Sequence, residues 1–255
     1  GMKQEIKTTK AKKHLGQNFL INPTIIENII QGSKLNSTDQ VVEIGPGTGN
    51  LTRAIHKVTK NYLGIEADKS LTNTLRDFKV LYEDILKFDY SKFPNKYKVI
   101  ANIPYYITSP IINYFLKKNP GKKPNSLTLM VQKEVADKIL DTKKLSILAI
   151  QVQAFGKVSR ICNVPKTDFD PIPKVDSSLI YIEVYDKPVI ESDPTKFFKC
   201  MNILFAQKRK TIKNNLKPFQ KTINLEDKRL IPFLSRRAES LSLSELDQLC
   251  YTLNI

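Results

Sequence analysis

The fold is decided by the stretch Val41-Val42-Glu43-Ile44-Gly45-Pro46-Gly47-Thr48-Gly49. Its apolar first half is typical of a buried parallel strand. Glycine then recurs at every second position, and such a turn lets the backbone approach a bound ligand, because a Cβ there would collide with the ligand or force a strained φ. Residues 51–57 follow with a helical pattern. The stretch therefore predicts a strand, a glycine turn and a helix in succession.

The alternation of apolar runs and helical stretches continues after the turn. Units of strand, helix and strand form parallel sheets that have helices on both faces. We predict further strands at residues 62–66, 79–82, 98–101, 127–131, 158–161 and 178–184, and helices at 70–78 and 146–155. The sequence thus predicts an α/β fold with a Rossmann-like, mostly parallel sheet.

The strand pattern stops at a proline-containing connection, residues 186–194. Beyond this connection, large apolar residues recur at helical spacing. They are Phe197, Phe198, Met201, Leu204 and Phe205. We therefore expect two domains, a sheet domain over residues 1–186 and a small, all-helical domain over residues 187–255.

The formal net charge of +16 on 255 residues favours a polyanionic partner. The basic residues are clustered, since residues 208–221 hold six cations and no acid, and further lysines lead the chain at Lys7, Lys10, Lys12 and Lys13. The alternative is a solvated basic surface without a partner. No apolar run reaches the roughly 18 residues of a membrane helix. The three cysteines are isolated, so we expect no metal site.

Two acidic residues follow successive predicted strands, where open α/β sheets place their ligands. Glu66 comes about twenty residues after the glycine turn, at the position where an acid accepts the ribose hydroxyls of a nucleoside. Asp84 follows the next strand and can accept from an adenine amino group. The spacing of Gly45, Gly47 and Gly49 is the form found in enzymes that use S-adenosylmethionine, although an ordinary glycine turn stays an alternative.

The segment Asn102-Ile103-Pro104-Tyr105-Tyr106 follows the fourth strand of the sheet and carries the chemistry. The N6 amine of adenine is a poor nucleophile, because its lone pair is delocalised into the ring. The side-chain oxygen of Asn102 and the carbonyl of Pro104 can accept the two N6 hydrogens and stabilise charge that develops during attack. Tyr105 can stack on a base that has left its helix. The segment predicts methyl transfer to adenine, and a plain Asn-Pro turn is the alternative.

A second aromatic candidate is Phe169, which precedes the proline-flanked loop Pro171-Ile172-Pro173. A rigid loop of this kind can present Phe169 to the other face of the base. Proline-rich loops also simply end strands, and that alternative stays open.

With these segments in view, the chain resembles the KsgA-type ribosomal RNA adenine dimethyltransferases over nearly its whole length. Beyond the two segments above, the resemblance is carried by His14-Leu15-Gly16-Gln17-Asn18-Phe19-Leu20, by residues 130–136 and 169–177, and by Phe205-Ala206-Gln207-Lys208-Arg209-Lys210-Thr211 with Asn214-Asn215-Leu216. The resemblance implies transfer of methyl groups from S-adenosylmethionine to N6 of two adjacent adenosines, in the hairpin near the 3′ end of small-subunit ribosomal RNA.

The resemblance also implies the residues of the site. Asn18 and Leu20 would close over the cofactor, which would also contact Gly45, Gly47, Glu66, Asp84 and Asn102. The cations Lys208, Arg209, Lys210 and Lys213 would bind RNA. The resemblance further implies a cytoplasmic, monomeric enzyme that acts on the immature small ribosomal subunit and has a role in its assembly.

Three rival functions stay open. The related enzymes that methylate large-subunit ribosomal RNA and confer macrolide resistance share the sheet segments, but the basic residues 207–216 and Arg236-Arg237 favour the small-subunit group. In adenine-specific DNA methyltransferases an aspartate usually replaces Asn102. A non-catalytic assembly factor would be expected to have lost the glycine turn or Asn102.

Overall fold

The protein is described here by a computed structural model that covers residues 17–102 and 104–255. The segment His14-Leu15-Gly16, the leading lysines Lys7 to Lys13, and Ile103 were singled out in the sequence and lie outside the described residues.

A seven-stranded sheet forms the centre of the fold within residues 17–102 and 104–255. The strands, in chain order, are β1 (Phe19–Leu20), β2 (Val41–Ile44), β3 (Tyr62–Ile65), β4 (Val80–Leu81), β5 (Lys98–Asn102), β6 (Ser126–Gln132), β7 (Gly156–Val164), β8 (Phe169–Asp170) and β9 (Ser177–Val184). The sheet has the order β4-β3-β2-β5-β6-β9-β7, and β1 pairs separately with β8. The expected Rossmann-like, mostly parallel sheet is confirmed.

The first five strands in this order are parallel to one another, and β9 runs antiparallel to β6. All four residues of β2 are buried, as expected for a central parallel strand covered on both faces. Register places Ile44 beside Ile65 and Ala101, so the carboxyl ends of β2, β3 and β5 lie at one edge. The glycine turn, Glu66 and Asn102 are therefore brought to that edge by the sheet itself.

The α-helices are α1 (Pro23–Gly32), α2 (Asn50–His56), α3 (Thr108–Asn113), α4 (Lys133–Leu140), α5 (Ile147–Gln153), α6 (Pro194–Leu204), α7 (Ile212–Leu216), α8 (Ile231–Leu234) and α9 (Leu243–Leu253). The predicted helix at residues 70–78 is wrong, because this segment forms a 3-10 turn at Lys69–Leu71 followed by further turns. Leu71 and Leu75 do pack inward at helical spacing, but Thr72, Asn73 and Thr74 are poor helix formers.

One core cluster joins α1 and α2 to the sheet and includes Ile29, Ile55 and Ile100. The carboxyl group of Glu43 lies in this interior, only 1% exposed, and accepts hydrogen bonds from Thr52 Oγ1 and Tyr62 Oη, both at 2.6 Å. Burial raises the pKa of Glu43 from 4.5 to about 7. Glu43 thus ties α2 to two strands directly below the glycine turn.

The chain divides into two compact units. The first runs to Asp137 and resumes at Lys157–Val184, and the second comprises Lys138–Gly156 and Tyr185–Ile255. The second unit holds α5 to α9, and in it Asp247 accepts from the backbone N–H groups of Glu191 and Ser192. The boundary near residue 186 stays a prediction. Within the described residues, no helix is both long and apolar enough to span a membrane.

Candidate active site

The glycine turn after β2 adopts a backbone that favours glycine at three positions. Gly45, Gly47 and Gly49 have φ values of +75°, +59° and +84°. A Cβ on Gly45 would lie 2.9 Å from the backbone oxygen of Asn102, and a Cβ on Gly47 would meet the ring of Phe19. A side chain at Gly45 or Gly47 is thus excluded by collisions with the protein itself, and not only by a bound ligand.

Glu66 lies just beyond the end of β3 and its side chain is buried. Its carboxylate accepts from the N–H groups of Gly47 and Asp68, both at 2.9 Å, and from Gln17 Nε2 at 3.1 Å. Burial raises the pKa of Glu66, and the three N–H donors oppose that shift by stabilising the charged form. The glycine turn and Glu66 therefore form one hydrogen-bonded unit.

The next strand end contributes Asp84, whose side chain is exposed. Its Oδ1 accepts from the backbone N–H of Leu86 at 3.0 Å and caps a short 3-10 turn. This bond fixes the orientation of the carboxylate and leaves Oδ2 as a further acceptor.

Gly45, Glu66 and Asp84 line a cavity of about 360 Å³, which we call the acidic cavity. It is lined by Gln17, Ile44, Gly45, Ile65, Glu66, Ala67, Glu83, Asp84, Ile85, Leu86, Pro104, Tyr106 and Ile107. Carboxylates can accept from ribose hydroxyls and attract a cationic sulfonium, and the isoleucine and leucine side chains suit a flat base. Within the described residues, Gln17 Oε1 is buried without a hydrogen-bond partner. This amide oxygen can therefore accept a hydrogen bond from a bound ligand. The residues present fit S-adenosylmethionine.

A second cavity, of about 300 Å³, is also lined by Gln17, and we call it the base cavity. It is lined by Gln17, Asn18, Tyr105, Gln132, Pro171, Ile172, Pro173 and Lys174. Its volume is at the low end of the ~300–1,000 Å³ of typical ligand sites, as expected for a single nucleobase. Gln17 is the residue that lines both cavities.

Asn102 ends β5 and is half-buried. Its Nδ2 donates to the backbone oxygen of Asn18 at 3.2 Å, and within residues 17–102 and 104–255 no hydrogen bond to Oδ1 is made. The bond to Asn18 therefore orients the amide so that Oδ1 is the end left to accept from a substrate.

The residues after Asn102 reach both cavities. Pro104 lines the acidic cavity and Tyr105 lines the base cavity. The Pro104 carbonyl accepts from the N–H of Ile107 at 3.2 Å and keeps its second lone pair. The hydroxyl of Tyr105 lies 2.8 Å from Ser177 Oγ, which anchors the ring, and burial raises the pKa of this tyrosine.

Four of the predicted catalytic and cofactor-binding residues, Leu20, Gly47, Asn102 and Phe169, do not line either cavity. Leu20 and Phe169 are directly paired between β1 and β8, and they are 5% and 2% exposed. Both side chains pack in the core cluster that includes α1. The stacking role of Phe169 and the cofactor contact of Leu20 stay predictions, and in this structure the Phe169 ring is enclosed by other apolar side chains.

The predicted RNA-binding residues lie around the start of α7. Lys208, Arg209, Lys210 and Lys213 are all exposed, and within the part of the chain that the structure describes none of them forms an ion pair. The buried side chain of Asn215 bonds to the backbone of Gln207 and Leu204 and thereby holds the preceding loop.

Sequence patterns missed Gln17 as a site residue, because it belongs to what reads as a short polar turn. Its bond to Glu66 spans 49 positions, so nothing near it in the chain indicates its partner. Its position directly before Asn18 is the signal that could have drawn attention to it. Among the residues that the structure describes, no cluster of three or more His, Cys, Asp or Glu side chains could hold a metal ion.

Comparisons with known proteins agree with this geometry. The family model for ribosomal RNA adenine dimethylase matches residues 8–231. The chain is 38% identical to the ribosomal RNA small subunit methyltransferase A of Macrococcus caseolyticus, over 94% of this chain and 89% of that protein. It is also similar to the crystal structure of a dimethyladenosine transferase from Plasmodium falciparum, with a TM-score of 0.79 and 27% identity over 92% of this chain and 97% of that chain.

The 23S rRNA methyltransferase ErmE has a similar structure, with a TM-score of 0.73 and 22% identity over 93% of this chain and 100% of that chain. At this identity the likeness shows the fold alone.

Proposed function

Since the chain belongs to the ribosomal RNA adenine dimethylase family, we propose that it dimethylates N6 of two adjacent adenosines in the 3′-terminal hairpin of small-subunit ribosomal RNA. It is an rRNA methyltransferase, and S-adenosylmethionine is its methyl donor. The single observation that carries the residue assignments is the meeting of an acidic cavity and a base-sized cavity at Gln17, directly before Asn18, whose backbone oxygen accepts from the amide of Asn102.

In the proposed mechanism, Asn102 Oδ1 and the Pro104 carbonyl each accept one N6 hydrogen of the target adenine. These bonds draw the nitrogen towards tetrahedral geometry and stabilise the positive charge that develops on it. The Asn18 carbonyl keeps the amide in the required orientation. S-Adenosylmethionine, when bound, supplies an electrophilic methyl group on a sulfonium. A strong general base is not needed, because the methylated nitrogen loses its proton readily.

Cofactor binding is assigned to the acidic cavity. Glu66 accepts from the ribose hydroxyls, and Asp84 accepts from the adenine amino group of the cofactor. Gly45 allows close approach of the backbone, and Gln17 Oε1 accepts a donor from the cofactor or from the incoming nucleotide.

Tyr105 is proposed to stack on the extruded target adenine within the base cavity. Base–aromatic stacking contributes about 1–3 kcal/mol per base. Its hydrogen bond to Ser177 holds the ring in place before RNA arrives, which reduces the entropy lost on binding.

The RNA partner is proposed to be the immature small ribosomal subunit, bound by a monomer through the cations Lys208, Arg209, Lys210 and Lys213. Their exposure and the net charge of +16 support this proposal. Binding to an immature subunit would also give the protein a role in assembly.

The deciding experiment incubates the protein and S-adenosylmethionine separately with under-methylated small subunits and with large subunits, and analyses the rRNA by mass spectrometry. We expect two adjacent dimethyladenosines in the small-subunit RNA and no change in the large-subunit RNA. Methylation confined to the large subunit, or no methylation of either, would contradict the proposed function.

A further inference from the structure

The loop after β8 holds an isoleucine in an unusual position. Ile172 is 63% exposed, and it stands between Pro171 and Pro173. Proline fixes its own φ and restricts the residue before it, so this backbone has little freedom. Pro173 is buried and Pro171 is half-buried, which anchors the loop on both sides of the exposed side chain. A large apolar group is therefore presented to solvent by a rigid support.

A single exposed isoleucine is common and carries no meaning alone. The location of Ile172 is what distinguishes it. Among the exposed large hydrophobic residues of the described chain, Ile172 is the one that lines the base cavity. Tyr106 is also exposed but lines the acidic cavity. Ile172 therefore stands at the entrance through which a nucleobase would pass to reach Tyr105.

Two exposed lysines, Lys166 and Lys174, lie beside the same loop. Lys174 lines the base cavity, and both line an adjoining cavity of about 440 Å³ whose wall also holds the ion pair Lys133–Asp137 and the acids Glu134 and Asp176. Within the described residues, Lys166 and Lys174 form no ion pair. Exposed lysines without partners beside an exposed apolar group match the chemistry of a nucleic acid strand, in which charged phosphates alternate with stacked bases.

The reaction itself creates a place for such a side chain. A target adenine must leave its stack to reach the base cavity, and its neighbours then each lose a stacking surface. Proteins that unstack nucleic acid bases often insert an apolar wedge, isoleucine among them, between the separated bases. A side chain at the mouth of the cavity is well placed to enter that gap.

We infer that Ile172 is a positioning residue that enters the RNA in place of the extruded adenosine and keeps the opened stack from closing. This inference rests on the proposed function, because it requires an adenosine that leaves an RNA stack. Ile172 touches the RNA gap and not the reacting atoms. Lys174 holds the adjacent phosphate while the wedge is inserted.

The test compares two RNA hairpins that carry the target loop, one intact and one with an abasic residue in place of the target adenosine. The abasic hairpin already contains the gap, so the wild-type protein should bind it more tightly than the intact hairpin. Ile172→Ala should weaken binding to the abasic hairpin roughly tenfold, because the gap stays empty. Affinity is measured by fluorescence anisotropy with the full chain.

The matched control is Ile231→Ala, which truncates an isoleucine of similar exposure, 55%, on α8 in the other unit. This control should bind both hairpins like the wild type. Ile172→Leu should restore tight binding, since it supplies a wedge of equal volume. Affinity for S-adenosylhomocysteine should be unchanged in all three variants, which shows that the acidic cavity is intact.

Equal affinity of Ile172→Ala and the wild type for the abasic hairpin would overturn the inference. An equal loss of affinity for an unstructured RNA of the same length would also overturn it, because that RNA offers no gap. Failure of the proposed function would be seen in a different measurement, since the wild-type protein would then leave small-subunit adenosines unmethylated. The binding comparison requires no methyl transfer, so the two failures are distinguishable.

Discussion

At the scale of single residues, the amide of Asn102 is the most consequential group. Its Nδ2 bond to the Asn18 carbonyl fixes which end of the amide faces a substrate. Asn102→Ala should lower the rate of methyl transfer by about 100-fold or more, because one of the two acceptors for the N6 hydrogens is removed. RNA affinity should stay close to that of the wild type. Single-turnover methylation and RNA binding, measured on the same preparation, provide the check.

Asn102→Asp is the matched control for this prediction. It keeps an acceptor at this position but replaces the donor with a carboxylate oxygen that the Asn18 carbonyl repels. An intermediate rate is expected. If Asn102→Ala reduced RNA affinity and transfer by the same factor, the amide would be acting in binding and not in the chemical step.

Glu43 gives a pH-dependent prediction. Its pKa is raised from 4.5 to about 7 by burial, so between these values the folded protein holds a proton that the unfolded chain has released. Stability contributed at this position is therefore largest below pH ~4.5 and falls as pH rises towards ~7, by at most about 3 kcal/mol. Glu43→Gln removes this titration, and its oxygen can still accept from Thr52 and Tyr62. We expect the variant to gain stability relative to the wild type as pH rises from ~5 to ~8.

Urea unfolding followed by circular dichroism at several pH values measures this difference. Glu226→Gln, at an exposed position, is the control and should leave the pH dependence unchanged. A constant difference between Glu43→Gln and the wild type across this range would show that folding does not raise the pKa of Glu43.

At the scale of elements, the glycine turn couples the two halves of the site. Gly45→Ala places a Cβ at φ +75° and 2.9 Å from the backbone oxygen of Asn102. The strained φ costs about 1–2 kcal/mol, and relief of the collision must move Asn102 or the turn. We expect weaker cofactor binding and at least about a tenfold lower transfer rate.

Gly121→Ala is the matched control, because a Cβ at Gly121 meets nothing within 4 Å. Isothermal titration with S-adenosylhomocysteine and initial-rate assays follow both variants. Wild-type behaviour of Gly45→Ala would mean that the collision with Asn102 is relieved without displacing it.

Sequence patterns predicted the secondary-structure elements that are determined by residues adjacent in the chain. The strand Val41–Ile44 has three apolar residues out of four and the turn after it contains three glycines, so both are found where expected. The helix expected at residues 70–78 failed because the spacing of Leu71 and Leu75 was right while the intervening residues favour turns. Periodicity reports which side chains face inward, and it does not by itself distinguish a helix from a series of turns.

The positions of Glu66, Asp84 and Asn102 could be predicted, because each lies at or shortly after the end of a strand, while their roles stay predictions. Gln17 was not predictable in this way, since its role depends on a hydrogen bond across 49 positions. Phe169 shows the opposite case, because an aromatic residue beside a proline loop is compatible both with an exposed stacking surface and with the buried pairing to Leu20 that the structure has.

At the scale of the whole molecule, the net charge of +16 favours a polyanionic partner, and the number of phosphates that the protein contacts determines how strongly binding depends on salt. Replacing Lys208, Arg209 and Lys210 together by glutamine should weaken RNA binding and flatten the dependence of log K on log salt. Each cation that no longer neutralises a phosphate of a single-stranded region reduces the slope by about 0.7, so three such cations change it by about 2. Filter binding between low and physiological salt measures the slope.

A triple replacement of the exposed residues Lys57, Lys60 and Lys79 by glutamine lowers the net charge equally and is the control. It should leave the slope nearly unchanged if direct phosphate binding, and not overall charge, determines it. An unchanged slope in the Lys208, Arg209 and Lys210 variant would mean that these side chains face solvent in the complex.

A side chain that lines two cavities can couple the binding of one ligand to the binding of the other. Gln17 borders both cavities and bonds to Glu66, so an occupant that turns its amide alters the boundary that the other occupant meets. Thermodynamic reciprocity then requires that RNA change the affinity for the donor by the same factor as the donor changes the affinity for RNA. A coupling free energy can therefore be obtained from either titration, and the two values must agree.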